Sequence, residues 1–144
     1  MGILRRRPVL RVELRPDEAF GLGEAAALQT ALVGVLRAAE RAARAPVAAD
    51  LALEAGAGAR VVAVWRNVVV GFVPPDHAPA LHDRLAGAAG TRLVVAGWVH
   101  RDGDLWRVRA GPRPDDGFPP ASAGADLLPP PPRRVLGIPL ADQP

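Results

Sequence analysis

Between Val9 and Arg15 apolar and charged residues alternate, which puts Leu10, Val12 and Leu14 on one side of an extended segment that Pro16 ends. From about Gly23 to Arg44 the period lengthens. Leu28, Leu32, Val35, Leu36, Ala39 and Ala43 recur at helical spacing, while Arg37, Arg41 and Arg44 share the opposite face and Glu40 stands four residues before Arg44. This pattern predicts one amphipathic helix, closed by Pro46.

Shorter periods return after Pro46. A strand is expected from Val47 to Glu54, followed by a loose loop at Ala55-Gly56-Ala57-Gly58. Arg60 to Trp65 and Val68 to Val73 are β-branched runs separated by Arg66-Asn67, a two-residue turn in which Asn67 supplies a positive φ. Both faces of this hairpin are apolar, which predicts a central place in the sheet. Pro74-Pro75 stops the second run, Asp76 suits an N-cap, and Pro79 is tolerated in the first turn of a short helix that buries Ala78, Leu81, Leu85 and Ala88 before Gly90. Arg92 to His100 and Leu105 to Ala110 flank Arg101-Asp102-Gly103-Asp104, a second hairpin signal. The expected order is β-α-β-β-β-α-β-β, an α+β domain over residues 1–110.

Composition changes sharply near Gly111. Ten of the 16 prolines fall in residues 111–144, including the run Pro129 to Pro132, and helical or strand periodicity is lost. A disordered, Pro-rich tail with polyproline II character is expected there. Its last stretch is an exception, since Val135, Leu136, Ile138 and Leu140 form a small apolar patch beyond a stiff spacer, a layout suited to docking a protein partner.

The chain has no Cys, Tyr or Lys, and its single Ser is Ser122. Thiolate, Schiff-base and disulfide chemistry are therefore excluded, and the only hydroxyls of residues 1–110 are Thr30 and Thr91, neither near a base in sequence. A non-catalytic role is expected, with no cofactor. All 18 cations are Arg, and the net charge is only +3, so the high isoelectric point reflects the absence of Lys and Tyr rather than a strongly basic surface. The charge excess lies in residues 1–110, with 15 Arg against 11 acids. Arg5 to Arg7 precede Pro8 and further charges, which leaves no signal-peptide core, and no apolar window is long enough to span a bilayer. A cytoplasmic address with no membrane contact is the expectation.

Candidate chemistry concentrates in the last hairpin. With Asp102-Gly103 as the turn, Trp98 faces Arg107, Ala96 faces Arg109, and His100 shares their side, whereas Val95, Gly97, Val99, Trp106 and Val108 face the core. Together with Arg92, this face presents an aromatic ring among guanidinium groups, an arrangement able to stack bases and neutralise phosphates. The same residues equally suit a cross-strand Trp–Arg pair covering the sheet. His77 and His82 are five apart, roughly 140° around a helix, which does not suit a shared metal ion. Gly21-Leu22-Gly23 precedes a helix without the Lys and Ser or Thr of a phosphate loop.

The stretch Leu51 to Ala78, LALEAGAGARVVAVWRNVVVGFVPPDHA, resembles the HIRAN domain family. Leu51 and Glu54 match the family's Leu-x-x-Glu-like strand end, Ala63-Val64 its Ala-Val pair, Val70-Gly71-Phe72-Val73-Pro74 its hairpin exit, and Asp76 and Ala78 its helix start. Ala57 and Arg60 stand where the family's loop carries Asn and Asp, and Phe72 where it carries Tyr. The resemblance covers roughly residues 20–110. It implies a small β-barrel or strongly bent antiparallel sheet that holds single-stranded DNA beside DNA-processing modules, with Phe72 as a stacking residue.

Two functional expectations follow. The first is a nucleic-acid-binding accessory module using Trp98, Arg107, Arg109, Arg92 and Phe72, with Arg60 as a phosphate contact. The second is a protein-interaction module that docks a partner through a sheet edge or through Val135 to Leu140.

Overall fold

The computed structural model describes residues 8–88 and 90–129, together with the backbone of Arg134–Val135 and Ile138–Pro139. One curled sheet dominates it. In chain order its strands are β1 (Val9–Val12), β2 (Phe20–Gly21), β3 (Val47–Ala55), β4 (Val61–Trp65), β5 (Val68–Phe72), β6 (Arg92–Asp102) and β7 (Leu105–Ala110). The spatial order is β2-β7-β6-β3-β4-β5, all antiparallel, and β1 adds a parallel pairing along the first part of β6. Three helices accompany it, α1 (Gln29–Val35), α2 (Ala38–Ala43) and α3 (Ala78–Gly87), with a 3₁₀ turn at Pro16–Glu18. No helix among the described residues is long and apolar enough to cross a membrane.

The inner face of the sheet is the core. Alternation along the strands sends Leu51 and Leu53, Val61, Ala63 and Trp65, Leu93, Val95 and Val99, and Trp106 and Val108 inward, where Leu32 and Leu36 from the α1 region and Leu81 of α3 meet them. Strand β6 is central because β3 flanks one side along seven residue pairs while β1 and β7 share the other. Gly97 lies where β6, β7 and β3 crowd together. A Cβ there would sit 2.7 Å from Leu51 Cδ1, so glycine is the residue that fits.

A short segment joins the two ends of the sheet. Phe20 and Gly21 pair with Ala110 and Arg109 of β7, Leu22 N donates to Val108 O, and Gly23 exchanges two backbone hydrogen bonds with Phe72 of β5, at 2.8 and 3.1 Å. The approach is close enough that a Cβ on Gly71 would lie 2.6 Å from Leu22 Cβ. The curled sheet therefore has the α+β, strongly bent character expected.

The order of elements differs from β-α-β-β-β-α-β-β in identifiable ways. The extra strand β2 arises from the closing segment, whose two residues carry no alternation to detect. The single helix expected from Gly23 to Arg44 is two, because Leu36 and Arg37 are extended and residues before Gln29 form turns after Glu24, which has φ 67°. The break is stabilised by side chains. Glu40 accepts the Arg37 amide at 2.7 Å as a cap, and Arg41 donates to the carbonyls of Val33 and Leu36, groups left open by the end of α1. Glu40 thus serves Arg37 and Arg66 rather than Arg44, which adopts a left-handed φ of 56° at the end of α2.

Two further differences concern the place of one hairpin and the cap of one helix. The hairpin of β4 and β5 is not central, since β5 ends the strand order; its apolar inner side is covered by α1 instead. Its turn is as expected, with Arg66 and Asn67 both at positive φ, 50° and 65°. At α3 the N-cap is His77 rather than Asp76, with Pro79 in the first turn.

Ordered contacts do not stop near Gly111. Residues 112–128 run back over the hairpin of β6 and β7, where Ala125 O accepts the Glu24 amide at 2.7 Å and the Glu24 carboxylate accepts the amides of Leu127 and Leu128 at 3.1 and 2.7 Å. The anchors are single polar and aromatic side chains, which a Pro-rich composition does not reveal. Farther on, Arg134–Val135 pairs with Ile138–Pro139, whereas Leu136 and Leu140 of the expected docking patch lie outside the described residues.

Candidate functional site

The residues expected to bind nucleic acid fall into three places. Trp98, His100, Arg107 and Arg109 do share one face of the β6–β7 hairpin, but the register is shifted by two. The turn is Gly103-Asp104, so Trp98 faces Arg109 and His100 faces Arg107. Because the shift is even, the inward and outward sets are unchanged.

This face is covered rather than open. Phe118 stacks on His100 with ring centroids 4.0 Å apart and planes 2° from parallel, and the Arg113 guanidinium lies 5.4 Å over the Trp98 ring. Arg107, only 12% exposed, holds Asp102 through Nε at 2.7 Å and grips both oxygens of Asp126 through Nη1 and Nη2, at 3.3 and 2.5 Å. The paired carboxylates raise the Arg107 pKa, and the Asp126 carboxyl is held below its ordinary value by Arg107 first and by backbone amides of Ala25 and Ala26 after it. Arg109 Nε is buried without a hydrogen-bond partner in the same face. Burial pushes the pKa of His100, 6% exposed, below 6.5, so its ring is neutral near pH 7.

Arg92 is elsewhere. It precedes Trp98 by six positions on β6, about 20 Å at the rise of a strand. There it borders a groove of about 280 Å³ on the outer face of the sheet, lined by Val9 and Arg11 of β1, Asp50 and Ala52 of β3, Val64, Arg66 and Asn67 of β4 and its turn, and Val94 beside Arg92 on β6. The pairing register explains this grouping, with Val9 opposite Arg92, Arg11 opposite Val94, and Ala52 between Val94 and Val64. Two of the three cations in the groove are paired. Arg11 grips Asp50 at 3.0 and 3.2 Å, and Arg66 holds Glu40 at 2.7 and 3.0 Å while donating to Val35 O. Arg92 forms no ion pair among the described residues.

The third place is the start of the same outer face. Phe72 stands opposite Val62, two residues along β4 from Val64, and the Arg60 guanidinium lies 5.7 Å from the Phe72 ring centroid. The loop that the family resemblance draws attention to thus brings Arg60 to Phe72.

The groove was missed at the level of sequence for a specific reason. Arg11, Arg66 and Arg92 are far apart in the chain; the parallel pairing of β1 with β6, which no local pattern encodes, brings Arg11 to Arg92, and the pairing of β6 with β3 and of β3 with β4 brings Arg66. The chemistry available is binding: guanidinium groups, one half-buried aromatic ring and an apolar floor. No group of three or more His, Cys, Asp or Glu residues able to hold a metal ion occurs among the described residues. His77 is stacked on Phe20 at 4.6 Å between ring centroids and is thereby part of the packing. No family model, curated protein or solved structure matches this chain.

Proposed function

We propose that this chain is a non-catalytic module that binds single-stranded nucleic acid along the outer face of its sheet, as its HIRAN-like stretch implies. The carrying observation is Arg92, a cation without an acidic partner among the described residues, beside an open groove floored by Ala52, Val64 and Val94. Arg11 and Arg66 keep donor groups at the groove wall, and Phe72 with Arg60 offers a stacking surface on the same face. Guanidinium groups that meet the phosphates and a ring that stacks a base are the elements single-strand binding needs. The test is fluorescence anisotropy of the full chain at ~50 mM salt with a labelled oligothymidylate of about twelve nucleotides. Binding that Arg92→Ala together with Phe72→Ala weakens by about tenfold or more is expected, at ~1 kcal/mol or more per lost contact. No binding, or binding indifferent to both changes, overturns the proposal.

A second reading rests on β1. Its outer edge carries no strand partner among the described residues, and Val9 and Leu10 are 57% and 44% exposed. An unpaired edge with exposed apolar side chains suits strand addition by a protein partner. Val9→Lys with Leu10→Lys should abolish such a complex, and a partner retained by this variant rules out the edge.

A further inference from the structure

The segment from Pro112 to Leu128 lies over the face made by Trp98, His100, Arg107 and Arg109, and it does so with groups that imitate a nucleic-acid strand. Phe118 occupies a stacking position on a ring of that face. Asp126 presents two anionic oxygens to the fork of Arg107, the geometry by which a guanidinium grips a phosphate. Two positions along β7 in the same face, Arg109 keeps a buried Nε without a partner. With Asp126 in place, Arg107 meets two carboxylates, Asp102 and Asp126, while Arg109 has no ion pair among the described residues. Without Asp126, Arg107 meets Asp102 alone, and a charge-assisted donor set is left open to an anion. The remaining anchors are few: the Ala26 amide on Asp126, Glu24 on the amides of Leu127 and Leu128, Ala125 O on the Glu24 amide, and Arg113 over the Trp98 ring.

We propose that the Arg107–Arg109 face is a second phosphate-binding subsite for single-stranded nucleic acid, and that residues 112–128 are a self-docked strap occupying it, with Asp126 in the place of a phosphate. This rests on the nucleic-acid reading above and extends it. Arg92 and Trp98 lie on the same side of β6, so a strand seated at Arg92 reaches the subsite by continuing along β6 once the strap lifts. A site filled by its own chain binds ligand more weakly by the fraction of time it is open, and opening it removes that loss.

The experiment compares full chains by anisotropy against the same labelled oligothymidylate. Asp126→Asn removes the stand-in anion, and Asp116→Asn is its control, since Asp116 is exposed on the same segment, changes the charge equally and has no ion pair among the described residues. Glu24→Ala with Phe118→Ala loosens the strap at its other anchors without altering Arg107, and circular dichroism identifies any variant that has not folded. Affinity about tenfold higher for Asp126→Asn and for the Glu24→Ala, Phe118→Ala chain, with Asp116→Asn near wild type, is expected. Arg107→Ala in the opened chain should cancel the gain. Equal gains for Asp126→Asn and Asp116→Asn, or none for the opened chains, overturn the strap. A gain for oligoglutamate but not for oligothymidylate overturns the phosphate assignment. Loss of binding in Arg92→Ala alone bears on the first groove and leaves this comparison intact, so the two readings fail separately.

Discussion

The Arg66 guanidinium closes on both oxygens of Glu40, at 2.7 and 3.0 Å, and so ties the turn between β4 and β5 to the first turn of α2. The two side chains are 27% and 19% exposed. The pairing pulls the Glu40 pKa from 4.5 to about 2, with the Arg66 hydrogen bond as the main cause and the Arg37 amide assisting against desolvation. The same Arg66 lies 4.0 Å over the Trp65 ring and donates to Val35 O at the end of α1. One cation therefore holds two helices to a hairpin.

Glu40→Gln should destabilise the fold by about 1–2 kcal/mol, the worth of a charged hydrogen bond reduced for partial exposure. A carboxyl with a depressed folded pKa stabilises above its unfolded value and loses that contribution as pH falls through the folded one. Wild-type stability should accordingly decline as pH drops from 4.5 toward 2, and Glu40→Gln should decline less over that window. Urea titration at a series of pH values measures both.

Gly97→Ala should cost about 1–3 kcal/mol, because its methyl group meets Leu51 Cδ1 and the backbone of β7 in a packed core. Gly21→Ala is the comparison, since nothing lies within 4 Å of a Cβ there. It should fall within about 0.5 kcal/mol of wild type in thermal unfolding.

Phe118→Ala should raise the His100 pKa toward 6.5 by uncovering the ring, as burial is the first cause of its depression. The titration is read from imidazole resonances in NMR. In the wild type the unfolded chain takes up this proton first, so stability should fall as pH drops below 6.5, and the variant should show a smaller fall. An unchanged His100 midpoint would show that Phe118 does not shield it.

Oligothymidylate binding through Arg92, Arg60 and one further guanidinium should weaken with salt at a logarithmic slope of about −2, from ~0.7 per phosphate on single strands. Arg92→Ala should reduce the slope by about 0.7. Phe72→Ala should lower affinity and leave the slope unchanged, because stacking releases no counterion.

Local pattern carried much of the fold. The strand at Val47 to Glu54, the β-branched run from Val68 to Val73 and the Arg66-Asn67 turn appear in the structure within a residue of the expected places. Their cause is short-range, since one face of each strand needs a core and two residues of positive φ close a tight hairpin. The inward set of β6 and β7 was legible for the same reason. Its register was not, because Asp102-Gly103 and Gly103-Asp104 are both plausible turns by residue type, and pairing along β3 and the closing Phe20–Gly21 strand decides between them. Helical period over residues 28–43 likewise concealed the break at Leu36-Arg37, which depends on Arg41, Glu40 and Arg66 meeting carbonyls and each other.

The candidate site divides along the same line. Sequence by itself determined an Arg-only, thiol-free α+β chain whose outward residues include Trp98, Arg107, Arg109 and Arg92, because composition and alternation are properties of neighbouring positions. Tertiary structure alone decided which of these are available. Asp126 reaches Arg107 across 19 residues and Arg11 reaches Asp50 across 39, contacts set by how the sheet curls and where the chain returns over it. A guanidinium spoken for by a carboxylate and one left open look identical in sequence, and the difference between them is made by residues distant in the chain.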